Sequence, residues 1–166
     1  MLSVTGIRWY MAMALDCNSM VLDAMAWRGM VTHEEKTDSH VVIVYRHTKH
    51  CLHGPAYIDA DGYRAWWVHG KRHRTDGPAI QSPSGTKEWW VGGKLHRLDG
   101  PAVEHSIGST VWYVDNKRHR LDGPAVVYAT GDQEWWVDGL RHRLNGPAVE
   151  RADGQKQWWV AGVRQK

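Results

Sequence analysis

The chain of 166 residues has no phenylalanine and only two cysteines, Cys17 and Cys51. Two cysteines do not make a disulfide framework, and they read as reduced thiols of a cytosolic protein. No run approaches the 18 apolar residues that a spanning helix needs. No charged stretch precedes the first apolar residues, as it would in a secretory signal. Charge of one sign is scarce: the formal net charge is +3, too small alone to argue for nucleic acid. Also missing are a Gly-rich phosphate loop leading into a helix, a G-x-S-x-G elbow and a C-x-x-C pair. No catalytic residue, cofactor or metal is therefore expected, and the chain does not read as an enzyme.

What the chain has in excess is tryptophan. There are 11, and nine fall between Trp66 and Trp159. They keep a fixed step. Aromatic pairs stand at Trp66-Trp67, Trp89-Trp90, Trp112-Tyr113, Trp135-Trp136 and Trp158-Trp159, every 23 residues. The Gly-Pro pairs at Gly54, Gly77, Gly100, Gly123 and Gly146 keep the same step. So does a histidine column, His50, His73, His96, His119 and His142. A fixed period of this length marks a repeat architecture.

One period reads as a hairpin pair. In the stretch from Pro124 to Gly146, "AVVYA", "QEWWV" and "LRHR" are short strands, with "TGD", "DG" and "LNG" between them. Asp138-Gly139 is a two-residue hairpin signal, because a type I′ turn needs positive φ at both central positions. His69-Gly70, Gly92-Gly93, Asp115-Asn116 and Ala161-Gly162 hold the same place. Proline cannot donate to a ladder, so each Gly-Pro belongs at a strand's start or edge. Asp76, Asp99, Asp122 and Asn145 before those glycines suit Asx-turns. Arg74, Arg97, Arg120 and Arg143 stand two residues earlier and can pair with them, as turn scaffold or as part of a binding surface.

The expected fold is mostly β: an elongated single-layer antiparallel β-meander of about five 23-residue hairpin repeats, residues 39–166. Residues 40–49 fit the phase as a degenerate half-repeat. Residues 1–38 hold a short helix between Asn18 and Gly29, then a linker, "THEEKTDSH", over 32–40. The first part carries three Lys/Arg against five Asp/Glu, net −2, and the array 18 against 13, net +5. The array is the basic part.

Neighbouring strand residues face opposite sides, so the aromatic pairs make two columns. One is Trp66, Trp89, Trp112, Trp135 and Trp158; the other is Trp67, Trp90, Tyr113, Trp136 and Trp159. Either both columns are packing, or one lines an open binding surface. The second column, with Arg74, Arg97, Arg120, Arg143 and His73, His96, His119, His142, is the candidate binding set. The histidines do not suit a shared metal: successive column members lie about 10 Å apart across two strands, against zinc–nitrogen bonds of about 2.0–2.1 Å.

The stretches "WWVHGKRHRTDGPA" (66–79) and "YVDNKRHRLDGPA" (113–125) resemble MORN-type repeats. The usual unit has glycine beside its aromatic, where this chain has Trp-Trp-Val. The pattern is therefore more similar to divergent MORN-like repeats of antitoxin-like, phage and large-virus proteins. The resemblance covers residues 41–162 and implies a scaffold or binding role. Two readings of function follow. In the first, the array binds another protein as a non-catalytic, inhibitor- or antitoxin-like module, cytoplasmic, in a bacterial host if phage-encoded. In the second, the Trp/His/Arg rows hold an anionic ligand, a nucleotide or single-stranded nucleic acid. A membrane-surface or purely structural role ranks below both. Homodimerisation through the C-terminal edge strand or the N-terminal helix accompanies the first reading.

Overall fold

The computed structural model describes residues 33–36, 40–45 and 48–166. The helix expected between Asn18 and Gly29 lies outside them. All regular structure among the described residues is antiparallel β, with no helix. No helix there is long and apolar enough to cross a membrane.

Residues 110–131 show the plan of one repeat. Thr110–Val111 and Tyr113–Val114 form the outward strand, joined through Trp112. Asp115 and Asn116 then turn the chain at φ 49° and 66°, the left-handed pair of a type I′ turn. The chain returns as Lys117–Arg118 and resumes as Val126–Val127. Between these two pieces residues 119–125, "HRLDGPA", loop out. Tyr113 stands opposite Arg118 and Val111 opposite Val126, so one residue, Trp112, spans the base of the loop. Its N–H donates to the Ala125 carbonyl at 2.7 Å, and its own carbonyl accepts from the His119 N–H at 3.2 Å. Tyr128 and Gly131 close the second turn, with the Gly131 N–H 2.9 Å from the Tyr128 carbonyl.

The other copies repeat this register: Trp67 opposite Arg72, Trp90 opposite Leu95, Trp136 opposite Arg141, Trp159 opposite Arg164. Strands follow one another across the sheet in chain order. The halves nearer the four-residue turns make a 13-stranded sheet, and the type I′ ends make a row of two-stranded hairpins beside it. Successive hairpins are tied by bonds such as Arg97 N–H to the Tyr113 carbonyl, 3.1 Å, and Asn116 N–H to the Leu95 carbonyl, 3.0 Å.

The half-repeat at 40–49 is in phase. Val44 faces Lys49 and Val42 faces Tyr57, one period before Trp67–Arg72 and Ala65–Ile80. The stretch read as a linker is different: His33–Lys36 is a strand, with Glu35 opposite Val42. The repeat register would have set Glu34 there, so this strand pairs one residue out of phase. An unpaired edge along His40–Tyr45 would leave its N–H and C=O groups open to other chains, and a short charged strand blunts it. Residue chemistry alone reads "HEEK" as solvated linker, because what holds it is main-chain pairing.

Burial follows the period. Ala56, Ala79, Ala102, Ala125 and Ala148 are each 0 % exposed. Each ends a loop, and the carbonyls of Ala79, Ala102, Ala125 and Ala148 accept from the tryptophan N–H, for example Ala102 from Trp89 at 2.8 Å. Ile80, Val103, Val126 and Val149 follow and are also buried. Val103, Val111 and Val126 form a cluster against which Leu95, Tyr113, Tyr128 and Trp136 pack.

Cys51 is buried and disulfide-bonded, against the expectation of a reduced thiol. Spacing in sequence does not report pairing, which depends on where the backbone sets the two Cβ atoms. Cys17 lies outside the described residues.

Candidate functional site

The looped-out "HRxDGPA" segments project from the face that carries the first tryptophan column. Each arginine folds back over the tryptophan of its own repeat. Arg74 lies 4.2 Å from the Trp66 ring centre, Arg97 4.0 Å from Trp89, Arg120 4.1 Å from Trp112 and Arg143 3.8 Å from Trp135. A guanidinium over an indole face is attracted by the ring quadrupole. The planar fork then binds its own loop. Nε donates to Asp76, Asp99 and Asp122 at 2.9, 3.0 and 2.9 Å. Nη1 donates to the carbonyls of Pro78, Pro101, Pro124 and Pro147 at 3.2, 3.1, 3.3 and 3.0 Å. In the fourth loop Asn145 replaces the aspartate, and Arg143 pairs with Glu150 at 2.7 Å instead. These arginines hold the loop closed. The hydrogen bond from arginine, with its charge, sets the carboxyls of Asp76, Asp99 and Asp122 below the usual range.

The histidines bind one repeat to the next. Nδ1 of His50, His73, His96, His119 and His142 accepts the N–H of His69, Gly92, Asp115, Asp138 and Ala161 at 3.1 to 3.4 Å. At His73 and His142 the acceptor role places the ring proton on Nε2. Asp115 and Asp138 also bring Oδ1 within 3.3 and 3.1 Å of His96 and His119. At His50, burial and then the neighbouring His69 lower the imidazole pKa.

On the opposite face the second aromatic column is interleaved with cations. Lys49 lies 5.3 Å from the Trp67 ring centre, and Arg72 lies between Trp67 and Trp90 at 5.5 and 5.0 Å. Arg141 lies between Trp136 and Trp159 at 5.1 and 5.4 Å. Apart from Trp158, the tryptophans among the described residues are thus covered by cations rather than by one another. Glu134 lies beneath them, 2 % exposed. It accepts from Trp136 Nε1 at 2.9 Å and pairs with Arg141 at 3.2 Å and Arg151 at 3.5 Å. Glu88 and Gln157 take Trp90 and Trp159 in the same way, at 2.7 and 3.2 Å. At the equivalent place in the first full repeat stands Ala65, and Trp67 Nε1 and Arg72 Nε are buried there without a partner.

Neither aromatic column is therefore an open surface; only Trp158 is exposed, at 49 %. The exposed apolar row is another one. Leu52, Leu98, Leu121 and Leu144 sit at the crest of successive loops, 67 to 80 % exposed, with Thr75 at the remaining crest. Grooves open beside these crests. The one between Leu121 and Leu144 has a volume of about 520 Å³ and is floored by Trp135, Val137 and His142. Equivalent side chains line grooves of about 520, 400 and 420 Å³ along the same face.

The structure thus divides the sequence-derived candidates. Trp67, Trp90, Tyr113, Trp136 and Trp159 are half-buried on one face. Arg74, Arg97, Arg120 and Arg143 are occupied within the loops on the other. His73, His96, His119 and His142 cap turns and also line the loop face. The leucine row was legible as a column, because an apolar residue recurs within a turn at the period that disclosed the histidines. Comparison with protein-family models and with curated proteins finds no match.

Proposed function

We propose that the chain is a non-catalytic repeat module that binds another protein, built as an elongated single-layer meander of MORN-like hairpin units. The observation that carries this reading is the row of crest leucines. Large apolar side chains stand exposed at one loop position in four of the five repeats, with Thr75 in the other, and grooves of like lining open beside them. Exposed apolar rows with polar rims mark interaction surfaces. An inhibitor- or antitoxin-like role fits such a surface, because a module of this kind acts by covering its target. The anionic-ligand reading has less support, since most of the stacked arginines already serve internal carboxylates and carbonyls.

The test is capture by covalent cross-linking of the full chain against the Leu98→Ser, Leu121→Ser, Leu144→Ser variant. Loss of a captured protein with unchanged thermal stability supports the reading. Capture that ignores the leucines removes this surface from the function. An excess of 260 nm absorbance in the purified protein, with affinity falling steeply with salt, returns the anionic ligand to first place. Light scattering on the same sample reads the expected edge-to-edge dimer.

A further inference from the structure

We infer that the crest-and-groove face takes a proline-rich segment of a partner protein in the polyproline II conformation, apolar at every third residue and carrying Lys or Arg between. This rests on the binding-module reading and assigns its face and its partner chemistry.

The spacing decides the conformation. Each repeat contributes two neighbouring strands about 4.8 Å apart, so equivalent grooves recur at roughly 9.6 Å. A β-strand covers this with three residues at about 3.3 Å each, but residues i and i+3 of a strand point to opposite sides. It could fill only alternate grooves. An α-helix needs seven residues, about 10.5 Å, and runs ahead by roughly 0.9 Å at every groove. Polyproline II has three residues per turn and a rise of about 3.1 Å. Every third residue faces the same way after about 9.3 Å, which falls behind by only about 0.3 Å per repeat, roughly 1.2 Å from the groove at Trp66 to the one at Trp158.

The lining agrees with that choice. Each groove has an indole and an aliphatic side chain on its floor, as Trp135 and Val137 do, between the walls of two loops or, at Trp158, between one loop and Gln165–Lys166. Aromatic-lined grooves receive proline-rich ligands because the segment is already extended and loses little entropy on docking. The charge on the crests sets the remaining positions. The loop arginines are turned inward, 21 to 25 % exposed, while Asp76, Asp99 and Asp122 stand 80 to 85 % exposed beside the crests. The rim at the three middle crests, Thr75, Leu98 and Leu121, is therefore acidic and complementary to a segment with cationic residues between its apolar ones, whereas His53 and Asn145 stand beside Leu52 and Leu144.

The experiment uses the full chain and four labelled peptides of 15 residues, read by fluorescence anisotropy. The first is built of Leu-Pro-Lys triplets and the second of Leu-Pro-Glu triplets. The third has the composition of the first with leucines at every second position. The fourth is a helix-forming peptide with leucine at every seventh position among lysines. The first is expected to bind at least ten-fold tighter than the other three. It should lose at least ten-fold affinity for the Leu98→Ser, Leu121→Ser, Leu144→Ser variant, whose changes are on exposed crests. Preference for the fourth peptide overturns the inference in favour of a helical partner. Equal binding of the first three, or no binding of the first, overturns it outright. If the peptides fail while cross-linked capture remains leucine-dependent, the partner chemistry is wrong and the binding-module reading stands. If capture is also absent, both fail.

Discussion

A methyl group on Gly100 would lie 2.6 Å from Cζ of Arg97. The guanidinium that covers Trp89 rests directly against the glycine, and the loop closes only because no side chain stands there. Gly77, Gly123 and Gly146 meet their own arginines in the same way at 3.0, 2.9 and 3.1 Å. Gly100→Ala must therefore push Arg97 off the indole. The expected loss is about 1–3 kcal/mol, the range for overpacking, measured by urea unfolding. Arg97→Ala removes the group that clashes. The double variant should lose less than the sum of the two single changes, because the two residues share one contact.

Ala65→Glu should stabilise the protein. Trp67 Nε1 and Arg72 Nε are buried without partners, whereas Glu134 serves the equivalent Trp136 and Arg141 three repeats on. A carboxylate at position 65 gives the Trp67 indole its acceptor and Arg72 an ion-pair partner; Arg141 Nε stays unpaired even beside Glu134, so the gain is assigned to the indole. The gain expected from satisfying a buried donor is about 1 kcal/mol, read as a rise in the melting midpoint.

The reverse experiment is Glu134→Leu. It leaves Arg141 and Trp136 Nε1 without their acceptor at a buried position. Removing one partner of a buried pair costs about 3 kcal/mol or more. Glu134→Gln keeps the bond to Trp136 and should lose less. An unchanged stability in Glu134→Gln would mean that the charge of Glu134 contributes nothing, and equal losses in the two variants that the bond to Trp136 contributes nothing.

His142→Ala removes the acceptor for the Ala161 N–H, 3.1 Å away. About 1 kcal/mol is expected for one such bond. The loss should be local, as faster hydrogen exchange at Ala161 with the Asp115 and Asp138 amides unchanged.

Acid should act in two steps. Burial and His69 lower the pKa of His50 from 6.5, so the fold favours its neutral form. That contribution is complete above 6.5 and is lost as pH falls below it. Asp76, Asp99 and Asp122 are lowered from 3.8 by hydrogen bonds from their arginines, then by the guanidinium charge. Folding favours their ionised forms, so their contribution is present above 3.8 and lost as pH falls through the lowered values. Melting temperature against pH should show both declines. His50→Gln should remove the upper one. The triple variant Asp76→Asn, Asp99→Asn, Asp122→Asn, which copies Asn145, should flatten the lower one.

The features written as a period were legible without coordinates: the type I′ turns, the in-phase half-repeat and the Arg–Asx pairs at three of four loops. Trp112 and Tyr113 were placed on opposite faces for the right reason, the alternation of a strand. What covers them was not legible. Arg120 and Trp112 are eight positions apart, and only the course of the looped-out segment brings them together. His142 and Ala161 meet across a strand pair, at a separation no local rule marks. The strand His33–Lys36 was hidden because its pairing uses main-chain groups, which every residue carries.

Every histidine cap and every hairpin-to-hairpin bond joins a unit to its immediate successor, and every arginine clamp closes within its own unit. A whole unit could be deleted or duplicated without creating any junction of a new kind. The number of grooves is therefore a quantity that gene duplication can adjust one step at a time, with stability following as a sum over neighbours. The array is a ruler, and the length of segment it can grip is set by how many times the same sentence is written.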